Sequence, residues 1–209
     1  MRSQIDHLVV ACADLDQGEA WLQSQLGVAP QPGGQHVTMG THNRLLRLGA
    51  HAYLELIAVD PQAARPPRPR WFGLDDPAVQ ARAASSPFLL TWVAATNDIY
   101  EAVARVPPLG DITPFSRNAF EWRFALRPDG RLNFDGVLPQ LIQWVSSHPA
   151  ALLEDRGCVL VELELSHPDA GAVLPQFRAL KLAGPVELST GPVSLKARVR
   201  TPGGEVVLS

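Results

Sequence analysis

The sequence predicts an α+β fold built from repeated β-α-β-β-β modules. Three times along the 209 residues, a short apolar strand leads through a turn into an amphipathic helix, and further strands follow. The helical segments carry apolar residues at alternating spacings of three and four, whereas the strand segments alternate or run apolar over short stretches. Hydrophobic residues make up 46% of the chain, which is enough for a substantial buried core.

The first module is predicted over residues 1–60. Ile5–Ala11 reads as its first strand, Asp14 as the N-cap of the helix, and Gly27 as the stop after the helix. The apolar face of this helix is formed by Leu15, Leu22 and Leu26. Three further strands are predicted at about 36–41, 44–48 and 52–59.

The second and third modules are predicted over residues 88–148 and 158–209. In the second, a strand at 88–95 precedes a helix with Ile99, Val103 and Val106 on one face, and strands follow near 122–126 and 138–145. In the third, strands are expected at 159–165, 194–200 and 205–208. Its helix follows Asp169, has a start delayed by Pro175, and faces inward through Val173, Leu174, Phe177 and Leu180.

A proline-rich segment, residues 61–87, connects the first two modules. Its proline density is incompatible with a regular helix or strand through its first half. The segment is either a surface loop or a lid, since Trp71 and Phe72 are large apolar side chains that can close over a pocket.

Composition narrows the classes of partner and compartment. The net charge is −3, from 18 basic and 21 acidic residues, and no basic run with aromatic spacing indicates a nucleic-acid partner. No apolar stretch reaches membrane-spanning length, and the N-terminus lacks the features of a signal peptide. Cys12 and Cys158 are far apart in apolar contexts, which predicts reduced, buried thiols and a cytoplasmic location.

Two polar side chains are predicted to meet on the concave face of the first sheet. Strand alternation places His7 with Val9, and opposite to Asp6 and Leu8. The same rule places Glu55 on one face with Tyr53 and Ile57, which brings Glu55 and His7 to a common side. Alternatively, Glu55 forms an ion pair with Arg44 or Arg47 and His7 hydrogen-bonds within the sheet.

Four segments carry a resemblance to a known family: DHLVVACADLDQGEAWLQSQLG, GTHNRLLRLG, YLELIAVDP and PQLIQW. Together they resemble the glyoxalase-like proteins of the vicinal oxygen chelate superfamily. The resemblance implies curved mixed or antiparallel sheets that pair into a partial barrel. It also implies a divalent metal such as Zn, Ni, Mn or Fe, held by residues of the first and last strands of each module.

The implied metal ligands are His7 and Glu55 in the first module. The corresponding positions of the second module fall near Thr91 and on Gln143, a neutral amide that binds a cation more weakly than a carboxylate does. Glu162 of the third module is an alternative ligand, although its alternating strand is more typical of a solvated face.

Several polar and aromatic residues suit a small-molecule pocket. The candidates for substrate binding are His36, His42, Asn43, Arg44, Trp71, Trp144 and His148. Arg44 either binds a carboxylate or phosphate, or forms an ion pair with Glu55 or Asp60.

Two functions from different classes fit this sequence. The first is a small-molecule lyase, isomerase or oxygenase in which His7 and Glu55 are catalytic, either through a metal or with Glu55 as a general base. The second is a protein of the same fold that binds and sequesters a small molecule without chemistry. Exposed sheet edges also permit a homodimer, although no residue argues for one.

Overall fold

The computed structural model describes residues 1–209 as two sheets with four α-helices. The first module contributes one helix and four strands to the larger sheet. These are β1 (Ser3–Ala11), α1 (Leu15–Leu26), β2 (Gln31–His36), β3 (Thr41–Arg47) and β4 (Tyr53–Val59). Asp14 caps α1 by accepting from the backbone N–H groups of Asp16 and Gln17, and Gly27 ends the helix in the left-handed conformation.

The connector and the second module follow. They contain α2 (Pro77–Ser85), β5 (Phe88–Thr96), α3 (Ile99–Arg105), β6 (Asp111–Arg117), β7 (Phe120–Leu126) and β8 (Gln140–Trp144). Helix α2 lies in the second half of the connector, beyond its densest prolines. Single 3₁₀ turns occur at Trp71–Gly73 and Phe134–Gly136.

The strands of these two modules form one curled sheet. Its order is β2-β3-β4-β1-β5-β8-β7-β6, and the two modules meet where β1 and β5 pair antiparallel. Within each module the first and last strands pair in parallel, β1 with β4 and β5 with β8. The sheet therefore curves into a half-barrel with one concave and one convex face, which confirms the predicted fold class.

The third module has one strand more after its helix than the first two, and a different pairing. It consists of β9 (Val159–His167), α4 (Ala170–Ala179), β10 (Leu182–Ala183), β11 (Val186–Thr190), β12 (Ser194–Thr201) and β13 (Gly204–Leu208). Its strands form a separate sheet in the order β11-β9-β12-β13, and only the two-residue β10 joins the half-barrel, next to β1.

The main core lies between the convex face and the third module. It combines Leu8, Leu54 and Leu141 of the half-barrel with Leu163 and Val199 of the smaller sheet. A second cluster of 15 buried apolar residues lines the concave face. None of the four helices is both long and apolar enough to cross a membrane.

Three local expectations differ from the structure. The stretch predicted as one strand at 36–41 contains the end of β2, a 3₁₀ turn and the start of β3, because Gly40 adopts a left-handed conformation. Strand β6 was not predicted, since Pro114 interrupts its pattern, but β6 is an edge strand that tolerates proline. Helix α4 begins five residues before Pro175, and Leu174 is exposed rather than inward-facing.

The position of Pro175 explains why α4 is not delayed. Proline cannot donate to the carbonyl of Gly171, one turn earlier. Both residues are exposed, so water can satisfy that carbonyl. The helix consequently continues through Pro175, while Val173 and Phe177 face the core as predicted.

Candidate functional site

A small chamber opens on the concave face of the half-barrel. It encloses about 40 Å³, room for a few water molecules. Its polar residues are His7, His36, Asn43, Tyr53, Glu55 and Arg117. Its apolar wall includes Trp71, Phe72, Phe120, Trp122, Phe124, Ile142 and Trp144. The chamber thus combines a few polar groups with a mainly aromatic wall, as small-molecule sites do.

An irregularity in β1 determines which side chains reach the chamber. Ile5 pairs with Ala94 and His7 pairs with Val93, so that Asp6 has no partner of its own on β5. This β-bulge interrupts the alternation of side chains. Asp6 therefore lies on the same side as His7, which corrects the expectation that the two residues face opposite sides of the sheet.

Asp6 is fully buried, and three side chains surround its carboxylate. Oδ1 lies 2.6 Å from Nδ1 of His7, and Oδ2 lies 2.8 Å from Nε1 of Trp144 and 3.0 Å from Nε2 of His148. Burial by itself raises the pKa of Asp6, but the hydrogen bonds of His148 and His7 outweigh it and lower the pKa to about 2. Asp6 is therefore an ionised acceptor at neutral pH.

The hydrogen bonds also define the protonation of both histidines in their neutral forms. The backbone N–H of Ala150 donates to Nδ1 of His148, so the proton of His148 is on Nε2 and points to Asp6. Because ionised Asp6 can only accept, His7 donates from Nδ1. Nε2 of neutral His7 is left as an acceptor, 3.6 Å from Oε2 of Glu55.

Glu55 and Tyr53 lie on β4, next to His7 of β1. The alternation of side chains places both on the concave face. The Tyr53 ring stacks on the His7 ring with 4.6 Å between centroids, and burial raises the pKa of Tyr53 well above its ordinary value. Asn43 donates from Nδ2 to Oε1 of Glu55 over 2.5 Å. One oxygen of Glu55 is therefore held by Asn43, and the other faces His7.

A second polar group closes the outer side of the chamber. Nη1 of Arg117, at the end of β6, donates to Nε2 of His36 over 3.0 Å and to Oδ1 of Asn43 over 3.2 Å. The pKa of His36 is lowered to about 3, mainly by burial and further by the charge of Arg117. His36 is therefore neutral, and its Nδ1 donates to Oγ1 of Thr41. The Trp71 ring packs edge-on against His36 at 4.8 Å.

The structure does not bring all predicted residues into this chamber. His42 and Arg44 flank Asn43 on β3, so they face the convex side, where Arg44 pairs with Asp16 and Glu19 of α1 rather than with Glu55. His148 does not line the chamber, but lies behind it, against Asp6.

The two further candidates for metal binding also lie elsewhere. Gln143 faces helix α3, where its amide accepts from the N–H of Ile99 and donates to the carbonyl of Asn97. Glu162 belongs to the smaller sheet and pairs with Arg198.

The residues present do not fit a divalent cation of the kind the resemblance implies. Strand register relates the modules: Val9 pairs with Glu55 in the first, as Val93 pairs with Gln140 in the second. His7 and Thr91 each lie two residues before these valines, so the second-module counterparts of His7 and Glu55 are Thr91 and Gln140. Both are neutral, and the Thr91 hydroxyl donates to the carbonyl of Gly136, so this module adds neither an imidazole nor a carboxylate.

Other donors do not complete a metal site either. Asp6 is engaged by His7, Trp144 and His148. No group of three or more histidine, cysteine, aspartate or glutamate side chains is arranged to hold a metal ion. Catalytic sites for such cations commonly have three protein ligands of the imidazole, thiolate or carboxylate kind, and His7 with Glu55 supplies two.

Sequence reasoning missed Asp6 and Arg117 as site residues. The adjacent polar pair Asp6-His7 inside an apolar strand was a usable signal, because a buried acid next to a histidine needs a partner. Arg117 carries no such signal, since a long-range fold brings β6 opposite β2.

Comparison with known proteins was informative about the family and the fold. A family model described as a glyoxalase-like domain matches residues 5–180. A hypothetical protein from Staphylococcus aureus has a similar structure, with a TM-score of 0.63 and 13% identity over 93% of this chain and 88% of that chain. At this identity the likeness concerns the fold alone.

Two weaker likenesses were also found. Methylmalonyl-CoA epimerase from Mycobacterium tuberculosis has a TM-score of 0.44 at 16% identity, over 71% of this chain and 91% of that chain. A hypothetical protein from Bacillus halodurans has a TM-score of 0.46 at 12% identity, over 69% and 94% of the two chains. Comparison with curated proteins gives no match.

Proposed function

This chain belongs to the glyoxalase-like domain family, and we propose that it binds a small carbonyl compound in the chamber and removes a proton from it, with His7 as the general base. One observation carries the proposal. Ionised Asp6 engages Nδ1 of His7 at 2.6 Å, which leaves Nε2 as an acceptor that faces the chamber beside Glu55.

The surroundings of His7 support this role. A proton taken up by Nε2 makes an imidazolium between the carboxylates of Asp6 and Glu55, and nearby opposite charge stabilises the charged form. Asp6 is a positioning residue, because it acts on substrate only through His7. Removal of a proton next to a carbonyl leaves negative charge that moves to the carbonyl oxygen, where the imidazolium stabilises it.

The proposed chemistry is of the isomerase or lyase kind and needs no metal step. Proton abstraction next to a carbonyl opens both reactions: the proton returns at another atom, or a neighbouring group leaves. His7 and Glu55 are thus retained as the candidate catalytic pair, with Asn43 fixing the orientation of Glu55 through the 2.5 Å hydrogen bond.

Proton exchange tests this function directly. In D₂O, the methylene hydrogens of phenylacetone and phenylpyruvate are followed by NMR with and without the protein. The variant His7→Asn keeps a donor toward Asp6 but removes the base, and should lower the catalysed exchange rate about a hundredfold or more. His42→Gln is the matched control, since His42 lies on the convex face of the same sheet.

Sequestration without chemistry is the second candidate, favoured by the aromatic wall of the chamber. It predicts saturable binding of these compounds with no exchange above the buffer rate. Binding without exchange, or equal exchange by the His7→Asn variant, would contradict the proposed proton transfer.

A further inference from the structure

Arg117 is a charged residue at the chamber with no carboxylate to neutralise it. Its only hydrogen bonds are made by Nη1, to His36 and Asn43, and Nε and Nη2 have no partner in the protein. The half-buried Arg44, Arg127 and Arg198 pair with acids, whereas Arg47 and Arg123, like Arg117, do not. Arg117 is half-buried, and its Nε and Nη2 are free to bind an anion through two parallel hydrogen bonds.

A second unsatisfied donor lines the same cavities as Arg117. The indole of Trp71 is 4% exposed, and its Nε1–H has no acceptor. Trp71 and Arg117 line the inner chamber together and also line a larger outer cavity of about 350 Å³. A buried N–H without a partner is rare in folded proteins, so an acceptor is expected at this point.

The two cavities are separated by a layer of four side chains. His36, Trp71, Arg117 and Trp122 line both of them. The inner space of about 40 Å³ is too small for an organic molecule, whereas the outer cavity is of the size that ligands occupy. A ligand that reaches His7 must therefore displace part of this layer, and the long Arg117 side chain is its most adjustable member.

The wall of the passage is aromatic. Trp122 stacks on Phe115 with 5.8 Å between ring centroids and lies 5.5 Å from Trp144. Flat apolar groups pack well against such rings, and a guanidinium binds a carboxylate through two parallel hydrogen bonds. The passage therefore suits a molecule with an aromatic body and one carboxylate.

We propose that Arg117, assisted by the indole N–H of Trp71, binds the carboxylate of an aromatic carboxylic acid. This inference rests on the proposed function, since it names the substrate class of the same chamber. Arg117 exchanges its contacts with His36 and Asn43 for the carboxylate oxygens. The exchange joins the inner and outer cavities and lets the aromatic body approach His7.

Binding is tested with phenylacetate and with phenylacetamide, its uncharged counterpart. Three of the five tryptophans line the chamber, so tryptophan emission reports occupancy. Phenylacetate should bind about tenfold or more tightly than phenylacetamide, because a charge-assisted pair is replaced by a neutral contact. Equal affinity for the two probes, or no saturable binding of phenylacetate at millimolar concentration, overturns the proposal.

Variants assign the anion site to Arg117. The Arg117→Gln variant should weaken phenylacetate binding about tenfold or more and leave phenylacetamide unchanged, while Arg117→Lys should lie between. Trp71→Phe, followed by NMR of the ligand, should weaken phenylacetate only. Arg123→Gln is the control, because Arg123 on the adjacent strand β7 lies over Tyr100 rather than in the chamber. Unchanged phenylacetate affinity in Arg117→Gln overturns the assignment.

The outcome is separable from that of proton transfer. The His42→Gln variant, changed on the convex face, should bind phenylacetate with wild-type affinity. Charge-dependent binding without any methylene exchange supports the anion site and contradicts the proposed chemistry. Methylene exchange in phenylacetone without tighter binding of carboxylates supports the proposed chemistry and contradicts the anion site.

Discussion

Oδ1 of Asp6 lies 2.6 Å from Nδ1 of His7, although the two residues are consecutive in one strand. Neighbours in a regular strand point to opposite faces, so this contact exists only because β1 bulges at Asp6. The bulge therefore brings an acid and a histidine of an otherwise apolar strand into direct contact.

Asp6→Asn should remove the acceptor at Nε2 of His7 while the side chain at position 6 keeps its hydrogen-bond partners. The amide oxygen can accept from Trp144 and His148, which turns the NH₂ group toward Nδ1 of His7. Nδ1 must then accept, and the proton moves to Nε2. We expect catalysed methylene exchange to fall about a hundredfold or more while ligand affinity is kept. Asp129→Asn, at a surface pair with Arg127, should leave exchange unchanged.

Acid should destabilise the protein through Asp6. Its pKa is lowered from 3.8 to about 2 in the folded state, so the stabilisation is complete above pH 4 and is lost as pH falls through 2. The contribution is about 2 kcal/mol. Urea unfolding at a series of pH values should show the wild-type free energy of unfolding falling toward that of Asp6→Asn across this window. A difference in free energy of unfolding between the two proteins that does not change with pH would contradict this role of Asp6.

His36 should stay neutral at every pH where the protein functions. Burial and the Arg117 charge lower its pKa to about 3, so its imidazole NMR signals should not titrate between pH 5 and 8. Arg117→Gln removes the second cause but not the first, and should raise the pKa of His36 only partly. A His36 titration in this range in the wild-type protein would be inconsistent with the described contact.

The third module should unfold together with the half-barrel. Phe177 of α4 packs edge-on against the buried Trp92 of β5, with 6.0 Å between ring centroids. Phe177→Ala should lower the free energy of unfolding by about 3 kcal/mol and keep a single transition. Leu174→Ala, at an exposed position of the same helix, should change it by less than about 0.5 kcal/mol. Two separate transitions in the wild-type protein would contradict shared folding.

Added metal should leave the protein unchanged. With neutral Thr91 and Gln140 at the counterparts of the two donors, Zn²⁺, Ni²⁺, Mn²⁺ and Fe²⁺ should not raise the melting temperature, and a chelator should not reduce methylene exchange. The matched variant Gln140→Glu adds a third donor, a carboxylate, at the counterpart of Glu55, and should be stabilised by Zn²⁺ or Ni²⁺. Stabilisation of the wild-type protein by stoichiometric metal would contradict the donor count.

Periodicity sufficed for the fold and for half of the site. His7 and Glu55 were predicted to share a concave face because side chains alternate in strands, and the structure places them 3.6 Å apart. Side-chain alternation does not identify the inward-facing residues of a strand when the pairing register of that strand is unknown. Gln143 and Ile142 are one residue apart, and that single step decides which of them faces the chamber.

Bulges and distant pairings were beyond the sequence. Asp6 was assigned to the wrong face because a bulge leaves no mark in hydrophobic alternation. Arg117 reaches His36, 81 positions away in the chain, only after the half-barrel has curled. Neither contact follows from local propensity, since both depend on how strands from different modules come together.

The one-sided placement of His7 and Glu55 has a stereochemical consequence. Both approach a bound molecule from the first module, and the second module presents Ile142, aromatic rings and the Arg117 guanidinium, none of which is a base. A methylene group held between them would expose one of its two hydrogens to the base. Exchange should then be confined to a single prochiral position, giving chiral monodeuterated product.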